Sequence, residues 1–318
     1  MKNNKKILYF VSEDWYFYSH RIDLARDAIK SGYEVVLLTN VNNKIDEISK
    51  EGIRVIPLKI NRAGKNIFNE ISTFFNTLIL VLKEKPNIIH NVSIKPIIYG
   101  TIVGIFSKSK IINTFAGLGV LSGHKNIQSY FQSLIIFFIR ILMKSKRVSI
   151  IVQNKDDMNF FIKKNIAKKN QVHLILGSGV DEKNFNLENE NDINLNVLLA
   201  SRMLWSKGIK EFVEAAEIVN RSHPLVNFII AGRIDNKNPD GVNENYLKNI
   251  SSKGYIKWIG HTEEMKKLFT LSNIVCLPTF YGEGIPKVII EACASRRAVI
   301  TSNIAGCREI VEDGFNGI

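Results

Sequence analysis

Cysteine is scarce in this sequence, and the three that occur do not form a paired or metal-binding set. Cys276, Cys293 and Cys307 lie far apart, with no CxxC pair and no histidine at ligand spacing. The first apolar run is not preceded by the basic, apolar and small-residue regions of a secretory signal. We therefore predict a protein of the reduced cytoplasm.

The sequence also lacks a long apolar run and an internal repeat. Its longest apolar stretch, Leu134 to Met143, has about ten residues and includes Arg140, whereas a membrane-spanning helix needs about 20. Glycine and proline, at 20 and 7 residues, are too few for a collagen-like or low-complexity chain. With 318 residues, of which 45% are hydrophobic, the chain is predicted to form two globular domains of roughly 150 residues each.

Acidic residues are missing from a long central segment. The 71 residues from Lys85 to Lys155 contain ten basic residues and no Asp or Glu. Residues 1–180 have 27 Lys and Arg against 12 Asp and Glu, and residues 181–318 have 16 against 18. Such a segment attracts nucleic acid or anionic lipid, or is a plain solvated face. Its aromatic residues lie in an amphipathic apolar run and not at base-stacking intervals, which favours a membrane surface and no nucleic acid.

Short apolar runs alternate regularly with helix-period segments, which predicts an α/β fold with parallel sheets. The strands predicted in the first half are residues 7–11, 33–38, 54–58, 87–91, 110–114, 149–153 and 172–176. Those of the second half are residues 196–200, 227–231, 255–259, 274–278 and 298–301. Helices fill the intervals, with starts near Ser19 and Asn154 and stops at Gly32 and Gly52.

We therefore expect two doubly wound, Rossmann-like domains, residues 1–178 and 196–318, that face each other across a ligand cleft. Residues 179–195 are polar and rich in Asn, Asp and Glu, and are predicted to link them. The second domain is expected to be truncated, because the chain ends one residue into a further strand-like run.

Two glutamates stand eight positions apart where a loop enters a predicted helix. Glu283 is flanked by glycines, Pro286 suits the first helical turn, and Glu291 lies inside an otherwise apolar helix. The free N–H groups of that helix start would hold a diphosphate, and each glutamate would hold a pair of sugar hydroxyls. Taken singly, each has a plain explanation, Glu283 as a helix-start acid and Glu291 as part of a buried polar pocket.

Two cations follow the first strand of the second half. Arg202 and Lys207 come after residues 196–200 and before a predicted helix, so both belong at the carboxyl end of a parallel strand. Arg binds phosphate oxygens through a fork of donors, and Lys supplies a point charge. With the two glutamates they predict a nucleotide sugar as ligand. Neither half opens with GxGxxG, so a dehydrogenase is disfavoured.

These four residues resemble the mark of the retaining family-4 glycosyltransferases of the GT-B fold, an E-x7-E pair with an upstream Arg and Lys. The similarity extends over the whole chain. It is greatest to bacterial transferases that build O-antigen, capsule or glycoprotein glycans on undecaprenyl diphosphate, including N-acetylgalactosaminyltransferases. The matching segments are residues 19–21, 93–96, 114–119, 177–181, 205–212, 260–261 and 306–309.

The resemblance implies roles at the diphosphate and sugar of a UDP-sugar donor. Arg202 and Lys207 would neutralise the diphosphate. Glu283, with backbone N–H groups near Gly284 and Ile285, would hold the transferred sugar. Catalysis would then rest on charge stabilisation and positioning, with no strong protein nucleophile.

The rest of the donor is assigned by the same resemblance. Glu291 would accept hydrogen bonds from the ribose hydroxyls, and the uracil would lie near Gly232, Arg233 and His261. No metal ion and no cofactor are implied. The sugar is expected to be an N-acetylhexosamine or a related one, transferred with retention.

The acceptor is expected on the first domain. His20, Arg21 and Lys95 would bind a lipid-linked saccharide, while the basic, aromatic segment from Lys125 to Arg147 rests on the anionic inner leaflet of the cytoplasmic membrane. The enzyme would thus be cytoplasmic and peripheral to the membrane. Plain alternatives are a hydrogen-bonded helix-start histidine for His20 and a solvated side chain for Lys95.

Two other functions stay open from the sequence. A truncated, inactive GT-B domain would act as a binding or assembly partner. A GT-B-shaped epimerase would need acids and a histidine converging from both domains, and the sequence shows no such spacing.

Overall fold

A computed structural model of the chain describes residues 5–60, 67–118, 129–185, 195–236 and 238–318. The chain divides into two units, Met1–Ser178 and Gly179–Ile318, and each is built on its own parallel sheet. Each unit alternates strands and helices in the doubly wound manner, which confirms the predicted fold class.

The first unit has strand bounds within two residues of those predicted. Its strands are β1 (Lys6–Glu13), β2 (Glu34–Asn40), β3 (Arg54–Pro57), β4 (Ile88–Val92), β5 (Lys110–Phe115), β6 (Val148–Val152) and β7 (Val172–Leu174). Its helices are α1 (Asp14–Lys30), α2 (Ile45–Lys50), α3 (Ile67–Glu84), α4 (Ile94–Phe106), α5 (Ser129–Met143) and α6 (Lys155–Lys163), with a short 3-10 helix at Lys169–Gln171.

The sheet of the first unit has the strand order β3-β2-β1-β4-β5-β6-β7, and every pair is parallel. The chain runs outward from β1 to β3 and then returns to β4, so the order reverses between β1 and β4. Helices α1 and α2 pack on one face of this sheet, and α3, α4 and α5 pack on the other. In sheets of this kind, ligands bind at the carboxyl ends of the strands where the order reverses.

The first helix begins earlier than predicted. Strand β1 passes directly into α1 at Asp14, and Ser19 lies inside the helix with its hydroxyl 3.3 Å from the Tyr16 carbonyl oxygen. The buried Asp14 carboxylate accepts hydrogen bonds from the backbone N–H groups of Asn42 (2.7 Å) and Lys44 (3.0 Å). Burial opposes ionisation, but these hydrogen bonds outweigh it and lower the pKa of Asp14. The acid therefore fixes the helix start to the loop after β2.

The other predicted helix boundaries of the first unit are confirmed. The Asn154 side chain caps α6 and accepts a hydrogen bond from the Asp157 N–H at 2.7 Å. Gly32 and Gly52 adopt φ values of +83° and +78° just after α1 and α2. This left-handed conformation ends a helix at little cost only for glycine.

A row of buried polar side chains crosses the middle of the first sheet, and the sequence analysis did not identify it. Asn91 on β4 donates a hydrogen bond to Asn113 on β5 (2.8 Å), and Asn113 donates to Thr101 on α4 (2.9 Å). A Cβ at position 100 would lie 1.8 Å from the Asn91 side-chain oxygen. The close approach of α4 to the sheet therefore depends on Gly100.

The second unit has strand bounds within one residue of those predicted. Its strands are β8 (Asn196–Ala200), β9 (Asn227–Ala231), β10 (Ile256–Trp258), β11 (Ile274–Leu277) and β12 (Ala298–Thr301). Its helices are α7 (Glu182–Phe185), α8 (Ile209–Ser222), α9 (Glu244–Ser251), α10 (Met265–Leu271), α11 (Lys287–Ala294) and α12 (Ala305–Arg308), with a 3-10 turn at Trp205–Lys207. The parallel order is β10-β9-β8-β11-β12, which reverses between β8 and β11.

Part of the predicted linker, residues 179–195, packs on the second unit. Residues 182–185 form α7, and the Phe185 ring meets the Phe269 ring edge-on at 5.9 Å. Residues 186–194 lie outside the described residues. The polar composition of the segment predicts a link between the domains, and its single aromatic residue packs on the core of the second unit.

Candidate functional site

The predicted donor-side residues gather where the strand order of the second sheet reverses. The loop after β8 carries Lys207, and the loop after β11 carries Glu283. The Lys207 ammonium and the Glu283 carboxylate form an ion pair, and their side chains are only 10% and 16% exposed. Two residues that the sequence analysis assigned to separate parts of one ligand are thus in direct contact.

The Lys207 loop is held in place by neighbouring loops. Asp240 accepts hydrogen bonds from the Ser206 backbone N–H (3.1 Å) and from the Ser206 hydroxyl. Gly208 begins α8 with a φ of +78°, and a Cβ there would lie 2.2 Å from the Pro278 carbonyl oxygen beyond β11. Because only glycine permits this approach, Gly208 brings the ends of β8 and β11 together.

The Glu283 loop is fastened to the same turn. The Thr279 hydroxyl donates a hydrogen bond to the Ser206 carbonyl oxygen at 3.1 Å and lies 3.4 Å from Glu283 Oε1. The Tyr281 ring lies against the Lys207 ammonium, with 5.4 Å between the nitrogen and the ring centroid. The two loops therefore form one connected arrangement around the ion pair.

Burial changes the protonation of Lys207. Removal from water, and then the nearby charge of Arg202, lower the pKa of Lys207 to about 7. A bound anion would stabilise the charged ammonium, so this lysine is suited to a ligand that carries negative charge.

The backbone after Glu283 is packed against α12. Gly284 and Ile285 are buried, and a Cβ at Gly306 would lie 1.4 Å from the Gly284 carbonyl oxygen. The next residue, Cys307, is fully buried, and burial raises the pKa of its thiol. The position of the Gly284 peptide thus depends on the absence of a side chain at residue 306.

Glu291 lies on α11, which begins at Lys287, directly after Pro286. The Glu291 side chain is buried and lies 3.7 Å from the Lys287 ammonium. Burial raises the pKa of Glu291, and Lys287 reduces the effect. A carboxylate placed in this way retains acceptor sites for the hydroxyls of a ligand.

Arg202 precedes Lys207 on the same loop but contacts a different acid. Its guanidinium lies 3.5 Å from the Asp235 carboxylate, in the loop after β9, and its side chain is 32% exposed. Because Arg202 is more exposed than Lys207, its forked N–H donors are accessible to a ligand phosphate.

The residues predicted near a base lie at the carboxyl ends of β9 and β10. Gly232 donates a backbone hydrogen bond to the Gly260 carbonyl oxygen at 2.7 Å, which joins the two loops. A Cβ at Gly232 would lie 1.7 Å from the Ser201 carbonyl oxygen. Arg233 and His261 are exposed beside these contacts.

On the first unit, His20 and Arg21 lie side by side in α1 with different surroundings. The His20 ring stacks on Tyr16 at 4.2 Å, and its Nδ1 shares a hydrogen bond with Ser19 Oγ at 2.5 Å. Arg21 is buried and donates to the His20 carbonyl oxygen at 3.1 Å, while its Nε and Nη2 have no hydrogen-bond partner among the residues described. Burial, and then the Arg21 charge, lower the pKa of His90 to about 3. Roles for His20 and Arg21 at an acceptor stay predictions.

Lys95 is not the solvated side chain of the plain alternative. Its ammonium lies 2.6 Å from Glu70 Oε1 on α3, and the Tyr99 hydroxyl donates to the other carboxylate oxygen. The Lys95 and Glu70 side chains are each 25% exposed. Ser93, which precedes α4, has a φ of +82°, a strained conformation for a residue other than glycine. The sequence analysis identified neither Glu70 nor Tyr99.

Several partners of the predicted residues were missed, because no motif marks them. Asp235, Asp240 and Thr279 act through contacts between loops, and Gly306 was noted only within a segment of resemblance. Within the described ranges, no three His, Cys, Asp or Glu side chains are grouped as metal ligands are.

Both halves of the chain match known protein families. Residues 6–154 match a family described as Glycosyl transferase 4-like. Residues 180–318 match a family described as Glycosyl transferases group 1. The two matches fall on the first and second units respectively.

Curated relatives span most of the chain. The N,N'-diacetylbacillosaminyl-diphospho-undecaprenol alpha-1,3-N-acetylgalactosaminyltransferase of Campylobacter jejuni is 25% identical over 90% of this chain and 77% of its own. The capsular polysaccharide biosynthesis glycosyltransferase CapM of Staphylococcus aureus is 25% identical over 99% of this chain and 83% of its own. The UDP-Gal:alpha-D-GlcNAc-diphosphoundecaprenol alpha-1,3-galactosyltransferase of Escherichia coli is 23% identical over 90% and 75%.

Solved structures share the fold. A glycosyltransferase from Rickettsia africae superposes with a TM-score of 0.75 at 18% identity, over 99% of this chain and 84% of its own. Anabaena Alr3699/HepE, in complex with UDP and glucose, gives a TM-score of 0.75 at 17% identity, over 99% and 85%.

Proposed function

Because the chain belongs to the GT-B glycosyltransferases, with a glycosyl transferase 4-like first half and a group 1 second half, we propose that it transfers a sugar from a UDP-sugar to a saccharide linked to undecaprenyl diphosphate. The sugar is an N-acetylhexosamine or a related one, its anomeric configuration is retained, and no metal ion or cofactor takes part. Relatives named for N-acetylgalactosaminyl and galactosyl transfer to such lipids support this acceptor class.

The ion pair of Lys207 and Glu283 at the strand reversal carries the proposal. Burial removes the Lys207 ammonium from water and lowers its pKa, so contact with a phosphate group would stabilise its charged form. The diphosphate lies against Lys207 and the accessible fork of Arg202. Glu283 accepts hydrogen bonds from the hydroxyls of the donor sugar, and the backbone N–H groups near Gly284 and Ile285 donate to its oxygen atoms.

The nucleoside occupies the neighbouring loops. Glu291 accepts hydrogen bonds from the ribose hydroxyls, and the uracil lies beside Gly232, Arg233 and His261. Support comes from the hydrogen bond that joins the Gly232 and Gly260 loops, and from the space beside Gly260, where a Cβ would meet no described atom within 4 Å.

In the reaction, the bond between the sugar C1 and the diphosphate oxygen breaks, and negative charge grows on the leaving phosphate. Lys207 and Arg202 stabilise that charge. The acceptor hydroxyl attacks C1 from the side of the leaving group and passes its proton to the departing phosphate oxygen, so the configuration is retained. Catalysis rests on charge stabilisation and positioning, and no side chain has to form a bond to the sugar.

Attachment to the anionic inner leaflet of the cytoplasmic membrane is part of the proposal. Helix α4 lies between α3 and α5, and the two outer helices each carry a stripe of exposed apolar side chains. The stripes consist of Ile71, Phe75, Ile79 and Leu82 on α3 and of Leu134, Phe137, Phe138 and Ile141 on α5. Residues 125–128 of the segment predicted to contact lipid lie outside the described residues.

Positive charge accompanies these stripes. Exposed basic residues cluster at the adjacent amino ends of β4, β5 and β6, namely Lys83, Lys85, Lys108, Lys110, Lys144, Lys146 and Arg147. Apolar stripes beside basic side chains suit the surface of an anionic bilayer. Among the helices in the described residues, none combines the length and apolar character needed to cross a bilayer.

The donor half of the proposal is tested by nucleotide binding. We expect UDP, and not GDP or ADP, to raise the melting temperature of the protein without added metal, by mass action on the folded state. Arg202→Ala should weaken UDP binding about 10- to 100-fold, since charge-assisted hydrogen bonds contribute about 1.5–3 kcal/mol. Arg221→Ala, at an arginine 74% exposed on the same unit, is the matched control and should have no effect. A folded protein that binds no nucleotide, or binds all three equally, would contradict the donor assignment and favour a non-catalytic binding role.

The transfer itself is tested with UDP-N-acetylgalactosamine, UDP-N-acetylglucosamine and UDP-galactose, each with a short-chain polyprenyl-diphosphate-linked N-acetylhexosamine. We expect one donor to give a product whose new linkage has the α configuration of the donor in its NMR spectrum. The reaction should continue in a chelator. An inverted linkage, or activity lost in the chelator and restored by a divalent metal, would refute retention or metal independence respectively.

Membrane attachment is tested by flotation with lipid vesicles. We expect binding to vesicles that contain phosphatidylglycerol and little binding to pure phosphatidylcholine. Changing Phe137 and Phe138 to Ser should reduce it at least threefold, since two exposed aromatic anchors are lost. Leu225→Ser, at a residue 84% exposed on the second unit, is the control. Equal flotation of the wild type with both vesicle types would contradict recognition of anionic lipid.

A further inference from the structure

A polar cavity lies on the first unit, and none of its lining residues is among the donor or acceptor residues named above. It has a volume of about 640 Å³ and lies between Leu58 and Lys59, which follow β3, and helix α3. This volume is within the range of small-molecule sites in proteins. Side chains with amide, hydroxyl, carboxylate, ammonium and apolar groups line it, including Lys59, Asn69, Glu70, Thr73, Asn76 and Ile79. Such a lining offers hydrogen bonds to a neutral ligand with many hydroxyls and an apolar wall to its ring carbons.

Among the described residues that line this cavity, Glu70 is the one acid. Its carboxylate is fixed from behind by α4, because Lys95 lies 2.6 Å from Oε1 and the Tyr99 hydroxyl donates to the other oxygen. An ionised carboxylate has about four acceptor positions. Glu70 therefore keeps acceptor capacity on both oxygens while its charge is balanced by Lys95. This arrangement suits hydroxyl or acetamido N–H donors better than a second anion.

Helix α3 also connects the cavity to the surface that carries the apolar stripes. Ile79 lines the cavity and is at the same time 63% exposed as a member of the α3 stripe. A ligand in the cavity is thus next to the surface assigned to the bilayer. A saccharide that is tethered to a membrane lipid satisfies both conditions, because its tether has to reach the bilayer while its sugar is in water.

We propose that this cavity binds the saccharide of the lipid-linked acceptor, with Glu70 accepting hydrogen bonds from its hydroxyl or acetamido groups. Lys95 and Tyr99 are positioning residues that orient the carboxylate. The inference rests on the proposed function, since it names the group that recognises the acceptor of that reaction.

The test compares two ligands that differ only in the sugar. Farnesyl diphosphate and farnesyl-diphosphate-linked N-acetylglucosamine are titrated into the full chain in the presence of UDP, and binding is followed by calorimetry. We expect the wild type to bind the sugar-bearing ligand at least tenfold more tightly. Glu70→Gln should weaken the binding of the sugar-bearing ligand about tenfold and leave the affinity for farnesyl diphosphate unchanged. Tyr99→Phe should act in the same direction, by about threefold.

Glu47→Gln is the matched control, because Glu47 also pairs with a lysine, Lys44, on the same unit, at 3.1 Å. It should change neither affinity. Equal binding of both ligands by the wild type, or an equal loss of both in Glu70→Gln, would overturn the inference. In either case UDP binding by the same samples shows that they are folded. A protein that binds no UDP at all would instead count against the proposed function, so the two failures are distinguishable.

Discussion

Lys207–Glu283 and Lys95–Glu70 are Lys–Glu pairs near the strand reversals of the two sheets, and they differ in how far water reaches them. Lys207 and Glu283 of the second unit are 10% and 16% exposed, whereas Lys95 and Glu70 of the first unit are 25% exposed each. Burial lowers the pKa of Lys207 to about 7. The drier pair thus responds strongly to an arriving charge, and the wetter pair is suited to exchanging hydrogen bonds with neutral groups.

The two pairs also differ in what fixes them. Around Lys207 and Glu283, backbones meet at distances that only glycine allows, at Gly208 and Gly306. Glu70 is oriented by the side chains of Lys95 and Tyr99. Backbone contacts hold one geometry, while side chains can shift rotamers. The proposed donor site is therefore held mainly by backbone contacts, and the proposed acceptor carboxylate by side chains.

Removing the lysine of each pair is expected to give the largest difference in turnover between the two pairs. Lys207→Ala should reduce turnover by about 10²–10³-fold, the typical cost of losing one preorganised group that stabilises transition-state charge. Lys95→Ala should reduce turnover by about tenfold, because the loss of Lys95 only leaves the Glu70 carboxylate less firmly oriented. Steady-state UDP release measures both, with circular dichroism to confirm folding. Equal losses in the two variants would erase the distinction between the pairs.

Adding a methyl group to a crowded glycine tests the role of the backbone. Gly306→Ala should weaken UDP binding more than tenfold, because its Cβ would lie 1.4 Å from the Gly284 carbonyl oxygen and has to displace that peptide. Gly100→Ala, in the first unit, meets the Asn91 side chain at 1.8 Å and should lower the melting temperature without changing UDP affinity. Calorimetry and thermal unfolding separate the two effects. Unchanged UDP binding in Gly306→Ala would show that the Gly284 backbone does not hold the donor.

The pH dependence of UDP binding tests the protonation of Lys207. The ammonium form, which is proposed to bind the diphosphate, is populated below its pKa of about 7. UDP affinity is therefore expected to fall as the pH rises above 7, by at most tenfold per pH unit. Lys207→Arg keeps its charge over this range and should flatten the profile. A wild-type affinity that is constant from pH 6 to pH 9 would refute a titrating Lys207.

The smallest expected effect concerns the ribose. Glu291→Gln should weaken UDP binding by about three- to tenfold and reduce the discrimination between UDP and 2′-deoxy-UDP, since the hydroxyl that the carboxylate accepts from is missing in the latter. Glu283→Gln, in the same unit, should leave that discrimination unchanged. If Glu291→Gln weakened both nucleotides equally, the carboxylate would not contact the 2′-hydroxyl.

The sequence allowed every strand to be located within two residues, because each is a short apolar run bounded by polar residues or glycine. It failed at the start of α1, where the partners of Asp14 are Asn42 and Lys44, close in space but distant in sequence. The same limit applies to the sites. Motifs identified Lys207 and Glu283, but the fold alone shows that they are in contact.

The polar cluster on the first unit could not be predicted for a related reason. Lys95 was singled out, yet its partner Glu70 lies on a helix with no motif, and only the packing of α3 on α4 brings them together. Residue types that bind ligands can be found in a sequence. Their pairing depends on tertiary contacts between elements whose spacing in the chain carries no signal.

The exposed bases at the amino ends of β4, β5 and β6 also give the first unit an electric dipole. No acid interrupts residues 85–155, so positive charge is concentrated at one edge of the sheet. A negatively charged bilayer exerts a torque on such a dipole before any contact is made. Since the field decays over about 8 Å at physiological ionic strength, this torque acts only in the last step of approach. In the proposed membrane attachment, it would rotate the arriving molecule toward a single orientation, so that collisions become productive more often and the search for the proposed lipid-linked acceptor continues in two dimensions.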